Sequence, residues 1–173
     1  MKTIKLELRQ EVNDSGQLIY EYYLLNGKRH NEHGSAYRRW NGEGVLVTES
    51  YSLNGNLHNA HGVAYREWNE LGVLGYEAYY LNGNLHNAHG AAYREWDDSG
   101  QLRYESYWLN GKFHNENGPA IRQWNGDGVL MREEYWLNGG YFTKEEWERE
   151  VSSDSCLGKV ITVDGKQYRL GAV

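Results

Sequence analysis

Glu21-Tyr22-Tyr23-Leu24-Leu25-Asn26-Gly27-Lys28-Arg29-His30-Asn31-Glu32-His33-Gly34-Ser35-Ala36-Tyr37-Arg38-Arg39-Trp40 decides the fold. Glu21, Tyr23 and Leu25 alternate at period two, and so do Ala36, Arg38 and Trp40, so each trio lies on one face of a β-strand. Asn26-Gly27 separates them. A type I′ turn needs φ > 0 at both central residues, and Asn followed by Gly tolerates this best, so the pair predicts a tight hairpin. The segment His30-Asn31-Glu32-His33-Gly34 predicts a bulge or tight bend in the returning strand, with Gly34 left-handed.

Outward from this stretch the same frame returns. Asn-Gly recurs at Asn26-Gly27, Asn54-Gly55, Asn82-Gly83, Asn110-Gly111 and Asn138-Gly139, a spacing of 28 residues at every step. The first copy reads Gly16, Leu18, Glu21, Tyr23, Leu25, Asn26, Gly27, His30, Gly34, Ala36, Arg38, Trp40, and the second Gly44 through Trp68 in the same order. A second turn, Asn41-Gly42-Glu43-Gly44, echoed by Asn125-Gly126-Asp127-Gly128, hands the chain to the next unit. The expected fold is therefore all-β: an elongated, single-layer antiparallel meander of 28-residue repeats. Its units are 13–40, 41–68, 69–96, 97–124 and a partial 125–142.

The ends break the frame. Within 1–12, Ile4, Leu6 and Leu8 alternate, which predicts a capping half-repeat over the first sheet edge. Within 143–173, Thr143-Lys144-Glu145-Glu146 has the form of a capping box and predicts a short helix from about Lys144 to Val151. Lys159 to Leu170 then predicts one more hairpin around Asp164-Gly165.

Composition agrees with a thin sheet. The 173 residues include fifteen Tyr and seven Trp but only two Phe, and mean hydropathy is -0.84. Tyr and Trp supply the buried area while keeping a polar tip wet. A net charge of -6 without a Lys/Arg stripe argues against direct nucleic-acid binding and against anionic membranes. Cys156 is the single cysteine, and the first thirty residues hold no apolar leader-like run, which points to the reducing cytoplasm.

The frame of aromatic residue, Asn-Gly, His, Gly and second aromatic resembles the MORN repeat. It is most similar to the MORN-variant repeats of bacterial, phage and giant-virus proteins, as in Tyr107-Trp108-Leu109-Asn110-Gly111-Lys112-Phe113-His114-Asn115-Glu116-Asn117-Gly118-Pro119-Ala120. The resemblance runs from Leu18 to Phe142. It implies a rod of antiparallel hairpins with a scaffolding or protein-binding role; some relatives are labelled antitoxin components and some classical members are linked to membranes. Two departures stand out. Pro follows the Gly only at Pro119, with Ser35, Val63 and Ala91 elsewhere, and His33, His61 and His89 replace the variant's acidic or amide residue.

Candidate functional residues follow from the alternation. Glu21 with Arg38, Glu49 with Arg66, Glu77 with Arg94, and Glu105 with Arg122 predict cross-strand ion pairs that pin register, alongside Trp40, Trp68, Trp96 and Trp124. The opposite face carries Tyr20, Tyr22, Tyr37, Arg39, Tyr65, Glu67, Tyr76, Tyr93, Glu95 and Tyr104, residue types that protein interfaces favour. The His-x-x-His pairs give two ligands per unit where zinc needs three or four, so they predict no metal site; His30, His58, His86 and His114 are expected to bridge loop backbone. No phosphate loop or catalytic triad is present, and no enzyme activity or cofactor is expected. The expectation is a scaffold binding a protein partner, with a homodimer compatible. The alternative is a phage or mobile-element inhibitor blocking a basic, nucleic-acid-binding or toxic protein.

Overall fold

A computed structural model describes residues 5–154, 160–163 and 166–169. Ile4, Cys156 and the Asp164-Gly165 turn lie outside the described residues. The principal sheet takes its strands in chain order: Leu6–Val12, Leu18–Leu25, Tyr37–Trp40, Leu46–Ser50, Tyr65–Trp68, Leu74–Ala78, Tyr93–Trp96, Leu102–Ser106, Ile121–Trp124, Leu130–Leu137 and Gly140–Phe142. Every neighbouring pair is antiparallel, so the array is a meander with helix only near its end.

The five Asn-Gly turns have the predicted geometry. Asn26, Asn54, Asn82, Asn110 and Asn138 have φ between 50 and 53, and Gly27, Gly55, Gly83, Gly111 and Gly139 are also positive. Both central residues are left-handed, the type I′ signature. The longer turns are closed by side chains: Asn41 Oδ1 accepts the N–H groups of Glu43 and Val45, while Gly44 N–H donates to Asn41 O. Each of these turns is flanked by a register shift, as where Arg39 and Trp40 pair with Thr48 and Leu46, which adds twist to the strand pair.

In the second to fourth units the Asn-Gly turns do not close hairpins of the principal sheet. They close separate two-stranded ribbons, Ser52–Leu53 with Asn56–Leu57, Tyr80–Leu81 with Asn84–Leu85, and Trp108–Leu109 with Lys112–Phe113. The strand breaks at Tyr51, whose N–H donates to Ala64 O while its carbonyl accepts from His58 N–H. Ribbons of successive units are stitched together, Gly83 N–H to Leu57 O and Asn59 N–H to Tyr80 O. The fully buried residues are small: Ala36, Ala64, Ala92 and Ala120 are all 0 % exposed, and the largest side chains as deeply buried are Val47, Ser50 and Ser106. Small side chains let each ribbon lie close to the sheet, so little volume is enclosed and much of the stability comes from unit-to-unit contact.

Gly34 corrects the sequence reading, because it does not have positive φ; nor do Gly62 or Gly90. The bend is made by the preceding Asn instead. Asn31 Nδ2 donates to Ser35 O at 2.9 Å and Asn31 Oδ1 accepts from His33 N–H at 3.0 Å, and Asn59, Asn87 and Asn115 repeat both bonds. A Cβ built on Gly34 would meet that carboxamide nitrogen at 3.5 Å, an ordinary contact, so the bend rests on the asparagine and not on the missing side chain.

The helix runs Lys144–Asp154, three residues beyond the expected end. Its capping box is reciprocal: Glu146 N–H donates to Thr143 Oγ1 and Thr143 N–H donates to Glu146 Oε2. Trp147 holds it on the last unit, with Nε1 donating to Asn115 O at 2.9 Å and its ring 5.3 Å from Tyr135. Glu150 and Val151 then border the fourth-unit loop His114–Asn117, where repeat geometry would otherwise place a fifth loop. Val160–Val163 and Lys166–Arg169 pair antiparallel, as the expected terminal hairpin requires. No helix of the described residues is long and apolar enough to cross a membrane.

Candidate functional site

Register places the Glu/Arg ladder and the predicted Tyr/Glu set on opposite faces, but Trp68 and Trp96, expected with the ladder, stand past a register shift and line a depression on the tyrosine face. On one face, direct cross-strand pairing lines up Glu21, Arg38, Glu49, Arg66, Glu77, Arg94, Glu105, Arg122 and Glu133 in a single row of alternating charge. Arg38 lies 3.6 Å from Glu21 and 2.9 Å from Glu49, Arg94 3.0 Å from Glu77 and 3.6 Å from Glu105, and Arg122 2.7 Å from Glu105. Arg66 reaches Glu77 at 3.8 Å. The hydrogen bond to Glu49 raises the Arg38 guanidinium above its ordinary range. Trp40, Trp68, Trp96 and Trp124 stand past the register shifts, opposite Leu46, Leu74, Leu102 and Leu130. Arg38, Arg94 and Arg122 bond acids on both flanking strands, while Arg66 reaches Glu77 and not the expected Glu49, so this row positions strands and offers few free charges to a ligand.

The other face carries two rows. Tyr20, Arg39, Thr48, Glu67, Tyr76, Glu95 and Tyr104 form one; Tyr22, Tyr37, Ser50, Tyr65, Ala78, Tyr93 and Ser106 form the second. In the second row each ring is flanked by a small residue from Ser50 onward. This spacing lets the tyrosines pack diagonally: Tyr65 to Tyr76 is 5.3 Å between centroids, Tyr76 to Tyr93 4.8 Å and Tyr93 to Tyr104 5.6 Å, all edge to face. Such pairs contribute about 0.5–1.5 kcal/mol beyond area burial. The ladder stops at Thr48, which is buried. On the far side of it Tyr20 and Tyr37 stand 6.2 Å apart, and Arg29 lies 3.9 Å over the Tyr37 ring. Tyr22 donates to Glu11.

Burial chiefly, then a hydrogen bond to Glu67, raises the Tyr65 hydroxyl well above the ordinary tyrosine range; Tyr93 behaves alike with Glu95. Burial and its neighbour Tyr80 raise Tyr76. Between the ribbons and the rings lies an open depression of 740 Å³ lined by Leu57, Tyr65, Glu67, Trp68, Tyr76, Tyr80, Tyr93, Glu95 and Trp96, with Asn69 and Gly75. Its lining contains two carboxylates and no Lys or Arg. Next to it, Leu85, Tyr93, Glu95, Tyr104, Ser106 and Trp108 line a smaller hollow of 270 Å³.

Sequence reasoning missed Leu57, Tyr80, Leu85 and Trp108, because continuous strand alternation does not foresee the break that turns the ribbons over this face. A signal was present: Leu57, Leu85 and Phe113 recur at the same step, and Phe113 stacks 3.8 Å from Trp108. The His expectation is met in detail. His30, His58, His86 and His114 each accept, through Nδ1, the backbone N–H of Asn54, Asn82, Asn110 and Asn138 at 3.1–3.2 Å. No family model, curated protein or solved structure matches the chain, so its function is argued from these two faces.

Proposed function

We propose that the chain is a non-catalytic cytoplasmic repeat scaffold that binds a protein partner through the Tyr/Glu face. The observation that carries this is the unbroken Tyr65-Tyr76-Tyr93-Tyr104 ladder bordering a depression whose only charged side chains are Glu67 and Glu95. Aromatic rings already packed against one another lose little freedom on binding, and rings beside carboxylates favour a partner segment bearing Lys or Arg. The Glu/Arg row supports the reading from the other side, since its charges are spent within the sheet. The test is affinity capture from the native host with wild type, Tyr76→Ser and Glu95→Gln. A protein retained by wild type and lost with both variants supports the reading; capture indifferent to both overturns it.

The same acidic lining favours a second reading, an inhibitor of phage or mobile-element type that occupies the basic groove of a nucleic-acid-binding or toxic protein. Salt separates the two. Binding that collapses between about 50 and 500 mM salt supports the inhibitor, and salt-tolerant binding the scaffold.

A further inference from the structure

The first strand and the last long strand hold complementary places in the same repeat. Leu8, Arg9, Gln10, Glu11 and Val12 stand 28 residues before Ala36, Tyr37, Arg38, Arg39 and Trp40, and Gln10 pairs with Glu21 as Arg38 pairs with Glu49. At the other end, Arg132, Glu133 and Glu134 hold the steps of Thr48, Glu49 and Ser50. Within the array those three residues face Glu67, Arg66 and Tyr65 on the next strand. Among the described residues, no strand pairs with the outer side of Leu130–Glu134 or of Leu6–Val12.

We infer that the two edges pair between copies of the chain, the first strand of one copy continuing the sheet of another in the repeat's own register. In that register Arg132 faces Glu11 of the second copy, Glu134 faces its Arg9, and Glu133 faces its Gln10. Two pairs are of opposite charge, and the third is carboxylate against carboxamide. That last combination already occurs within one chain, where Gln10 Nε2 donates to Glu21 at 2.9 Å. In the single chain Arg9 pairs with Glu7 at 3.1 Å and Arg132 with Glu134, each two residues away, while Glu11 accepts from Tyr22 and Glu133 lies 3.6 Å from Arg122. Both edges are also apolar: Leu6, Leu8, Val12, Leu130 and Met131 are between 42 % and 65 % exposed. Pairing the edges covers these side chains and gives the open backbone its hydrogen bonds. The contact is head to tail, so it leaves one free edge at each end and builds open chains of copies.

Sedimentation velocity of the 173-residue chain over a rising concentration series tests this, with circular dichroism confirming the β fold of each variant. Mass that grows with concentration is expected. Glu11→Arg and Arg132→Glu should each weaken association by at least about tenfold, a free-energy change of about 1.4 kcal/mol. The double variant, with the charges exchanged, should restore it. A monomer at every concentration overturns the inference, and so does association that neither reversal weakens. Slow hydrogen exchange, even at the lowest concentration, at the amides of Leu130–Glu134 that point away from Ile121–Trp124 also overturns it, because the outer edge is then covered by the chain itself.

Discussion

His58 Nδ1 accepts the backbone N–H of Asn82 at 3.2 Å, joining the bend of one unit to the hairpin tip of the next. The same bond recurs at each junction, but its surroundings differ: His30 is buried and its bond part-buried, while His58, His86 and His114 are half-buried and their bonds exposed. Water replaces a lost acceptor at an exposed site and not at a buried one. His30→Ala should therefore cost about 2 kcal/mol and His86→Ala about 0.5 kcal/mol, read from urea unfolding midpoints. Equal costs would show that the bond is not what joins the units.

Arg94 bridges Glu77 and Glu105, whereas Arg66 reaches one carboxylate at 3.8 Å. Removing Arg94 leaves two largely buried acids without that partner. After discounting for its partial exposure, Arg94→Ala should cost about 1–2 kcal/mol and Arg66→Ala under about 1 kcal/mol. Chemical denaturation of both variants at equal salt checks the order.

Tyr65, Tyr76 and Tyr93 hold their protons more tightly in the folded chain than in the unfolded one. An unfolded tyrosine ionises near pH 10, so the stability they contribute is intact below about that pH. It declines as pH rises further, because the unfolded state releases protons that the folded state keeps. Phenolate absorbance should rise in two stages, the later one coinciding with loss of β signal. Tyr93→Phe should shrink the later stage.

Trp147 fastens the helix through its ring contact with Tyr135 and its indole N–H on Asn115 O. Trp147→Ala should speed amide exchange throughout Lys144–Asp154 and cost about 2 kcal/mol, while exchange in Tyr65–Trp68 stays unchanged, as units contact only their neighbours. Uniform acceleration across the array would contradict that locality.

Much of the fold was legible because the deciding residues act locally. Asn-Gly admits one common hairpin turn, and Thr143 with Glu146 encodes a cap within four residues. Register was legible too, since Glu21 and Arg38 share a step and a face. The Asn31 bend was hidden behind Gly34: a glycine suggests left-handed backbone, while a side chain that bonds its own loop carries no comparable mark. The ribbons were hidden because the break at Tyr51 depends on hydrogen bonds to Ala64 and His58, distant in sequence, and period-two alternation continues through it. Of the candidate site, the tyrosines were found and their lining partners Leu57 and Trp108 were not, for that same reason.

Thr48 gives the tyrosine face a direction. Ahead of it stand Arg29, Arg39, Tyr22 and the loosely spaced rings of Tyr20 and Tyr37; behind it come four closely packed rings with Glu67 and Glu95. A perfectly periodic surface would let a bound chain slide by whole units or reverse end for end at no cost. This one sets a cationic start against an anionic run, so a guest of matching polarity has one preferred footing and one preferred heading.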